Sequence, residues 1–398
     1  MTPTTSLRVQ RVKPSPTIAL TGRVAQLKAE GRDVITLGAG EPDFDTPAHV
    51  GAAGIEAIRT GFTRYTPVEG IAELKDAVVA KFKRENSLTY ERKQILVSNG
   101  AKQCIFNLIL ALIDPGDEVI IPAPYWVSYP DMVLLADGKP VTVLAGKEQS
   151  YKISPSQLAA AITNKTKLII LNSPNNPTGA AYTRAEIRAL GEVLMKHPRV
   201  VICTDEIYEH VYWGQEPFAS FASVCPELYD RTVTVNGVSK AYAMTGWRIG
   251  YCAGPAPLIA AMATIQGQST SNPSSLAQMA AVAALNGDQE CVREMNRHFK
   301  QRHDYLVDAL NRIPGVACLP GAGTFYAFAN VERAMETLQI TDDNGFAERL
   351  LDEGGVAVVP GSGFGASGHV RLSFACSLQT LQEALRRIEA VIGGRSGG

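Results

Sequence analysis

Short runs of apolar residues alternate with helical stretches between about residues 47 and 285 of this chain. Each run is a few residues long and rich in Val and Ile, which is typical of strands buried inside a sheet. The pattern predicts strands at residues 95–97, 118–121, 140–144, 168–171, 200–203, 232–235 and 249–252. Because strands and helices alternate, we predict an α/β fold with a mostly parallel sheet sandwiched by helices.

The stretch over residues 101–113 is apolar on nearly every side, which predicts a helix packed between layers. The Asp-Pro-Gly sequence at residues 114–116 ends it. Nearer the amino terminus, the pattern predicts a helix over residues 16–31 and a strand over residues 34–37. Residues 38–44 contain too much Gly and Pro for a regular element, so we expect a loop there.

The pattern changes after about residue 286, where charged amphipathic helices become long. Such helices are predicted over residues 290–312 and 380–392, with short strands at residues 324–329, 356–359 and 370–373. We therefore predict two domains. The large one, at residues 47–285, is α/β, and the smaller α+β domain is built from both termini, at residues 1–46 and 286–398.

The 398 residues are 45% apolar and carry a formal net charge of −1, which indicates a globular protein. Nucleic acids and anionic membranes bind basic surfaces, so the charge favours neither as a partner. No apolar run approaches the roughly 20 residues of a membrane span, and the first residues do not resemble a signal peptide. We expect a cytoplasmic protein.

The spacing of the cysteines and histidines does not indicate a metal site. Seven cysteines are scattered without a Cys-x-x-Cys spacing, and the six histidines lack a His-x-x-x-His or Glu-x-x-His grouping. We therefore expect reduced, mostly buried cysteines and no metal site.

Lys240 follows the predicted strand at residues 232–235, and its position is unusual for a lysine. Burial disfavours the charged ammonium, which leaves a neutral amine able to form a Schiff base with an aldehyde. Arg248 lies eight residues further on, and its guanidinium suits a phosphate. Although a single lysine of this kind usually extends to solvent, the pair fits the aldehyde and the phosphate of pyridoxal phosphate (PLP).

The ends of other predicted strands carry polar groups that suit the same cofactor, since ligands collect at the carboxyl ends of parallel strands. Asp205 follows the strand at residues 200–203 and can pair with a pyridine nitrogen, and Tyr208 can donate to the ring oxygen. The alternative is a helix N-cap followed by a packed tyrosine. Gly100 and Ala101 open the apolar helix, where free N–H groups suit a phosphate, although this pattern is common.

Two further strand ends and one later strand complete the candidate set. Asn176 lies in a Pro-rich loop that mounts an amide rigidly or is only a turn, and Trp126 offers a ring for stacking or for the core. Arg371 lies on a short strand and suits a carboxylate, the alternative being a charge on a surface edge strand. Residues 361–366 fit the dinucleotide pattern G-x-G-x-x-A, but a strand is predicted next instead of the required helix.

Taken together, these residues resemble class I aminotransferases of PLP fold type I, and among them the bacterial aspartate aminotransferases. The resemblance extends from about Lys13 to the end of the chain. It is carried by motifs that occur in order, at residues 38–44, 65–67, 175–179, 205–208, 240–250 and 369–373.

The resemblance implies a role for each candidate. Lys240 carries the PLP aldehyde and moves the substrate proton, with Asp205 and Tyr208 as the other catalytic residues. The cofactor-binding residues are then Lys240, Gly100, Ala101, Trp126, Asn176, Asp205, Tyr208, Ser239, Arg248 and Tyr65. The substrate-binding residues are Gly40, Trp126, Asn176, Arg371, Lys102 and Lys13. Tyr65 is expected to reach the phosphate of a neighbouring subunit, which implies a homodimer, and cis peptide bonds are expected at Ala123-Pro124 and Asn176-Pro177.

The implied reaction moves the amino group of L-aspartate to 2-oxoglutarate in two half-reactions, with ping-pong kinetics. Glutamate and prephenate are further candidate substrates. The open alternatives are an alanine or aromatic aminotransferase and a carbon–sulfur lyase of the same fold type. A PLP-binding transcription regulator needs a DNA-binding domain ahead of this fold, for which we expect no room. An NAD-dependent dehydrogenase rests only on the residue 361–366 pattern.

Overall fold

The structure is a computed structural model that describes residues 4–14 and 16–394. The strands are β1 Ile35–Thr36, β2 Ile95–Ser98, β3 Glu118–Ala123, β4 Lys139–Leu144, β5 Thr166–Asn172, β6 Val201–Asp205, β7 Thr232–Gly237, β8 Gly250–Ala253, β9 Ala317–Cys318, β10 Tyr326–Asn330, β11 Val356–Ala357, β12 Val359–Pro360 and β13 His369–Ser373. The helices are α1 Leu7–Gln10, α2 Pro16–Ala29, α3 Ala48–Arg59, α4 Ala72–Asn86, α5 Ala101–Leu112, α6 Ser128–Leu135, α7 Pro155–Ala161, α8 Arg184–Met195, α9 Phe221–Val224, α10 Ala256–Ser269, α11 Ser275–Asn286, α12 Glu290–Leu310, α13 Glu332–Leu338, α14 Asp343–Gly354 and α15 Leu378–Ile392. Short 3₁₀ helices lie at Arg92–Gln94, Lys147–Gln149, Pro226–Arg231 and Gly361–Phe364.

The central sheet has seven strands in the order β2-β8-β7-β6-β5-β3-β4. Neighbouring strands from β7 to β4 run parallel, whereas β8 is antiparallel to both β2 and β7. The prediction of a mostly parallel sheet is confirmed. Each strand overlaps the run predicted for it, and no end differs by more than two residues. Most of the carboxyl ends lie further on than predicted, because hydrogen bonding continues past the apolar core of the run.

Both faces of this sheet are buried. Along β3, Val119 and Ile121 pack into one apolar cluster, while Ile120 between them packs into another on the opposite face. Alternate residues of a strand point to opposite faces, so a strand buried on both sides must be apolar throughout. The predicted helix over residues 101–113 is confirmed as α5, which contacts α10 on one face of the sheet.

A second, four-stranded antiparallel sheet has the order β12-β13-β10-β9, and β1 pairs with β11 in parallel. The predicted strand over residues 356–359 is two strands. Its first part, β11, pairs with β1 and ends at Ala357, and β12 begins at Val359 and pairs with β13. Helices α14 and α15 pack together beside these strands, and β11 contacts both. The domain boundaries at residues 46 and 286 stay predictions.

The remaining carboxyl-terminal elements follow the amphipathic pattern. The helix predicted over residues 380–392 begins two residues earlier, because the Ser377 side chain accepts a hydrogen bond from the backbone of Thr380 and caps it. Between β12 and β13 the described chain contains the 3₁₀ turn at Gly361–Phe364 and no α-helix, so the dinucleotide pattern lacks its helix as predicted. Among residues 4–14 and 16–394, no helix is long and apolar enough to cross a membrane.

A buried polar network lies beneath the turn that follows β6. The Lys81 ammonium on α4 is fully buried and pairs with Glu209 and with the Asn86 side chain. Glu85, Glu209 and His210 are the one trio of potential metal-ligating groups found in the described chain, and their ligand atoms lie within 4.8 Å of one another. The Lys81 ammonium neutralises this acidic cluster, so we read the trio as part of an ion-pair network.

Candidate active site

A cavity of about 420 Å³ opens where β3, β5, β6 and β7 end. Most of the predicted site residues line it: Gly40, Ala101, Lys102, Trp126, Asn176, Asp205, Tyr208, Ser239, Lys240, Arg248 and Arg371. Residues that the sequence analysis did not select also line it: Glu41, Val127, Ser128, Tyr129, Asn172, Ile207, Thr245 and Tyr326. The carboxyl ends of parallel strands thus bring together side chains from the whole length of the chain.

Lys240 lies in the turn that follows β7, and its amine faces this cavity. The Nζ atom donates a hydrogen bond to the carbonyl of Gly40 at 2.5 Å. Burial lowers the pKa of Lys240 to about 8, and the positive charge of Arg371 adds to this effect. A substantial fraction of the amine is therefore neutral near pH 8, which a nucleophile or a general base requires.

Asp205 ends β6 and is 4% exposed. Its Oδ2 atom accepts a hydrogen bond from the Tyr129 hydroxyl at 2.6 Å, and its Oδ1 atom accepts one from the Ile207 backbone at 3.3 Å. Burial raises the pKa of Asp205 to about 6, although both hydrogen bonds oppose the rise. The side chain is thus a carboxylate at pH 7 in an apolar surrounding, suited to a cationic ring nitrogen.

Arg248 lies over the start of α5, in a left-handed conformation with φ of 58°. Its guanidinium donates to the carbonyls of Thr245 and Asn99 at 3.0 and 3.2 Å. Gly100 has φ of 84°, and a Cβ atom there would lie 2.5 Å from Arg248 Nη2. The conformation therefore favours glycine at position 100, and the Arg248 guanidinium lies beside the backbone N–H groups that open α5, an arrangement that suits an anion.

Arg371 on β13 is 2% exposed, and its guanidinium lies 4.2 Å from the ring centroid of Tyr326 and 5.0 Å from that of Phe364. The guanidinium donates hydrogen bonds to Asn176 Oδ1 at 3.0 Å and to the carbonyl of Gly38 at 2.9 Å. Its Nε atom is buried without a partner. Because β13 lies between β12 and β10, the alternative of a surface edge strand is wrong.

Lys102 and Trp126 form another wall of the cavity. The Lys102 Nζ atom lies 4.9 Å from the indole centroid of Trp126. Partial burial and the nearby Arg248 lower the pKa of Lys102. This wall of the cavity thus presents an amine above an aromatic ring.

Within residues 4–14 and 16–394, cis peptide bonds precede Pro124 and Pro174. The prediction for Ala123-Pro124 is confirmed, and the prediction for Asn176-Pro177 is wrong, because Ser173-Pro174 is the second cis bond. The chain turns sharply at Pro174, and the residues after it form a separate tight turn closed by a hydrogen bond from Gly179 N–H to the Asn175 carbonyl at 2.8 Å. The Asn176 N–H in turn donates to the Asn172 side chain at 2.8 Å, which fixes the loop.

Three predicted residues lie outside the lining of the cavity. Gly100 shapes the site through its backbone. Tyr65 is 94% exposed. Lys13 lies near Asp131 beside an adjoining cavity of about 490 Å³, which Lys102 also lines.

Tyr129 and Tyr326 are the principal residues that sequence reasoning missed. The Tyr326 hydroxyl accepts a hydrogen bond from the Tyr208 hydroxyl at 3.1 Å, and the Tyr129 hydroxyl donates one to Asp205. Tyr129 follows Trp126 by three residues, a spacing that puts two side chains on one face of a helical turn. Nothing in the local pattern distinguishes Tyr326 from an ordinary core residue of an alternating strand.

The sequence is similar to known proteins over nearly its whole length. The family model of class I and II aminotransferases matches residues 32–388. An aspartate/prephenate aminotransferase of Nitrosomonas europaea is 56% identical over 393 residues, which cover 97% of this chain and 99% of the relative. A protein of the same name from Cereibacter sphaeroides is 55% identical, covering 97% of this chain and 98% of the relative.

Solved structures agree with the sequence relatives. The aspartate aminotransferase of Rhizobium meliloti superposes with a TM-score of 0.95 at 47% identity, covering 98% of this chain and 99% of that one. The aspartate aminotransferase of Thermus thermophilus with maleate gives a TM-score of 0.92 at 44% identity, covering 98% and 100%. The fold is therefore PLP fold type I, as predicted. The chain belongs to the class I and II aminotransferases.

Proposed function

We propose that this protein is a PLP-dependent aminotransferase that moves the amino group of L-aspartate to 2-oxoglutarate. The observation that carries the proposal is one cavity that contains the Lys240 amine, the buried Asp205 carboxylate and the Arg371 guanidinium. The names of the relatives and the neighbouring structures support aspartate as the donor. Prephenate, which appears in the names of the sequence relatives, is a further candidate substrate.

The donor set of the cavity fits PLP. A neutral amine at Lys240 suits the aldehyde, and the carboxylate of Asp205 suits a protonated pyridine nitrogen. Arg248 and Ser239, beside the start of α5, suit the phosphate. A Cβ atom at Gly250 would lie 2.1 Å from the Ala101 nitrogen, so the backbone around this anion site is tightly packed. Trp126 offers a ring face, and Tyr208 and Asn176 offer donors for the ring oxygen.

When bound, PLP supplies an electron sink that stabilises negative charge at the substrate Cα atom. Lys240 Nζ, as a neutral amine, takes the proton from the substrate Cα atom, and the resulting ammonium then donates this proton to complete the transfer. Asp205 keeps the ring nitrogen protonated through its charge. The cavity walls of Trp126 and Tyr208 orient the reacting groups, which fixes the geometry of proton transfer.

Two groups of cationic side chains would bind the two carboxylates of the substrate. Arg371 presents its guanidinium with an unpartnered Nε atom, and with Gly40 and Asn176 it would bind the α-carboxylate. Lys102 lines the same cavity, and Lys13 lies beside the adjoining one. We assign the distal carboxylate of aspartate to these two lysines. A dicarboxylate is therefore the substrate whose charges this cavity matches.

We also propose a homodimer in which Tyr65 reaches the phosphate of the partner subunit. Tyr65 is 94% exposed, and Ile55 and Ile58 on the nearby α3 are 52% and 58% exposed. A tyrosine and two isoleucines this exposed favour a surface that a second subunit covers. Pairing of two chains would bring the Tyr65 hydroxyl of one subunit to the phosphate site of the other.

A panel of amino donors tests the proposal. The purified protein with PLP is assayed with aspartate, glutamate, alanine and phenylalanine, with 2-oxoglutarate or oxaloacetate as acceptor. We expect the highest kcat/KM for aspartate with 2-oxoglutarate, and parallel double-reciprocal lines from ping-pong kinetics. Preference for alanine or phenylalanine would favour another aminotransferase. Release of pyruvate and ammonia from a cystathionine-like substrate without a 2-oxo acid would favour a carbon–sulfur lyase.

A further inference from the structure

We propose that Tyr129 is a positioning residue that orients the Asp205 carboxylate and keeps it ionised for the ring nitrogen of the cofactor. The inference rests on the proposed function, because the ring nitrogen is that of the cofactor. The hydrogen bond itself is formed within this chain and does not depend on the cofactor. The hydrogen bond that Tyr129 makes joins α6 to the end of β6, 76 residues away.

The contact is short and fully enclosed. Tyr129 is 1% exposed, and its hydroxyl lies 2.6 Å from Asp205 Oδ2. This distance falls in the roughly 2.5–2.7 Å range of hydrogen bonds between a hydroxyl and a charged oxygen. The other carboxylate oxygen accepts only the longer bond from Ile207 N–H, at 3.3 Å. Tyr129 is therefore the strongest hydrogen-bond donor to this carboxylate among the described residues.

Hydrogen bonds to a buried carboxylate favour its charged form, because they replace the water that burial removes. The ionisable groups that act on Asp205 come from three segments: Tyr129 on α6, Cys203 and Tyr208 on β6 and its following turn, and Lys240 after β7. Lys240 acts through its charge and only when protonated. Burial raises the pKa of Tyr129 well above its usual value, so its hydroxyl stays a donor at every working pH.

Tyr129 also supports the aromatic wall of the cavity. Its ring meets the Trp126 ring edge to face, with centroids 5.3 Å apart and planes at 88°. The Tyr129 side chain thus contacts two groups of the site: its ring packs against Trp126, and its hydroxyl binds the Asp205 carboxylate. Phenylalanine at this position would keep the ring contact and remove only the hydroxyl, so substitution separates the two roles.

The test uses the cofactor-free protein, because the inferred interaction exists without PLP. The ionisation of Asp205 is followed by carbon NMR of aspartate-labelled protein, with Asp205→Asn identifying the signal. We expect Asp205 to titrate near pH 6 in the natural protein. In Tyr129→Phe the midpoint should rise to about 7 or higher, since the main hydrogen bond to the charged form is lost. An unchanged midpoint would overturn the inference.

Tyr125→Phe is the matched control. Tyr125 precedes Trp126, is half-buried and lies outside the cavity lining, so its variant should leave the Asp205 midpoint unchanged. A midpoint that moves equally in both variants would show general loosening and overturn the specific role. If Tyr129→Phe does not fold, the Cζ signal of Tyr129 in the natural protein replaces it. That signal should shift as Asp205 titrates and should not in Asp205→Asn.

Binding of pyridoxamine 5′-phosphate adds a second readout, because this amine cannot condense with Lys240. We expect its affinity at pH 7.5 to fall about tenfold in Tyr129→Phe, which equals about 1.4 kcal/mol. Unchanged affinity would overturn the role towards the ring nitrogen. Failure of the natural protein to bind the probe at all would contradict the proposed function instead, while the Asp205 titration would still test the contact with Tyr129.

Discussion

The Lys240 ammonium donates a hydrogen bond to the carbonyl of Gly40 at 2.5 Å, although the two residues are 200 positions apart. This contact joins the loop after β1 to the turn after β7. It holds the amine inside the cavity beside Arg371, whose positive charge disfavours the ammonium. The reactive nitrogen is thus placed by a long-range contact and activated by its surroundings.

The acidity of Lys240 should depend on Arg371. The pKa of Lys240 is lowered to about 8, mainly by burial and next by the Arg371 charge, so Arg371→Leu should move it upward. Competitive acetylation across pH 6 to 10, with the labelled lysine identified by mass spectrometry, measures the midpoint. Lys93→Leu, at an exposed lysine outside the cavity, is the control and should leave the midpoint near 8. A midpoint that stays near 8 in Arg371→Leu would contradict the electrostatic coupling.

Lys102→Ala should separate dicarboxylate from monocarboxylate substrates. The side chain contacts Trp126 in the cavity wall, where it would meet the distal carboxylate. We expect kcat/KM for aspartate to fall by about tenfold to a hundredfold, the loss expected when one charged hydrogen bond disappears. Turnover of alanine, which has no distal carboxylate, is the internal control and should change little. Equal losses for the two substrates would rule out this role.

Gly100→Ala should damage the anion site more than its backbone conformation explains. The new Cβ atom would clash with the Arg248 guanidinium, and φ of 84° is itself unfavourable for alanine. Gly116→Ala is the matched control, since Gly116 has φ of 89° and no atom within 4 Å of a Cβ there. Both variants should lose about 1 kcal/mol of stability from the backbone. Only Gly100→Ala should also weaken binding of inorganic phosphate, measured by calorimetry; equal affinities in the two variants would refute the assignment.

Glu206 should make stability depend on pH. Burial, followed by the nearby Glu209, raises the pKa of Glu206 to about 8 from an ordinary 4.5. Its contribution to stability is thus fully present below about pH 4.5 and is lost as the pH rises through about 8. Glu206→Gln cannot ionise, so its stability relative to the natural protein should increase across this window, by at most about 1.4 kcal/mol per pH unit. Urea unfolding between pH 5 and 9 measures the difference, and a constant difference would disprove the expectation.

The strands of the central sheet could be predicted because burial on both faces leaves a continuous apolar run, as at Leu168–Leu171 within β5. The residues at the strand ends, including Asp205 and Lys240, could be found because parallel strands bring their carboxyl ends together. The resemblance to a known family added the roles. These predictions depend on local patterns and on one topological rule.

What the sequence could not show depends on distant contacts. Tyr326 meets Tyr208 across 118 positions, and no local pattern distinguishes it from a core residue. The spacing from Trp126 places Tyr129 on the same face of a helical turn, but its contact with Asp205 spans 76 positions. The division of residues 356–359 between two sheets follows from their partners β1 and β13. Residues 173–177 contain two prolines, and the local sequence does not show which of the two follows a cis bond.

The proposed function depends on the covalent attachment of PLP to Lys240, which borohydride reduction would trap. The protein is mixed with PLP, treated with sodium borohydride, digested and analysed by mass spectrometry, with Lys240→Ala as the control. We predict that the phosphopyridoxyl group is found on the peptide that contains Lys240, and that Lys240→Ala does not retain it there. A label on other lysines with Lys240 unmodified would show that Lys240 does not carry the cofactor and would refute the proposed function.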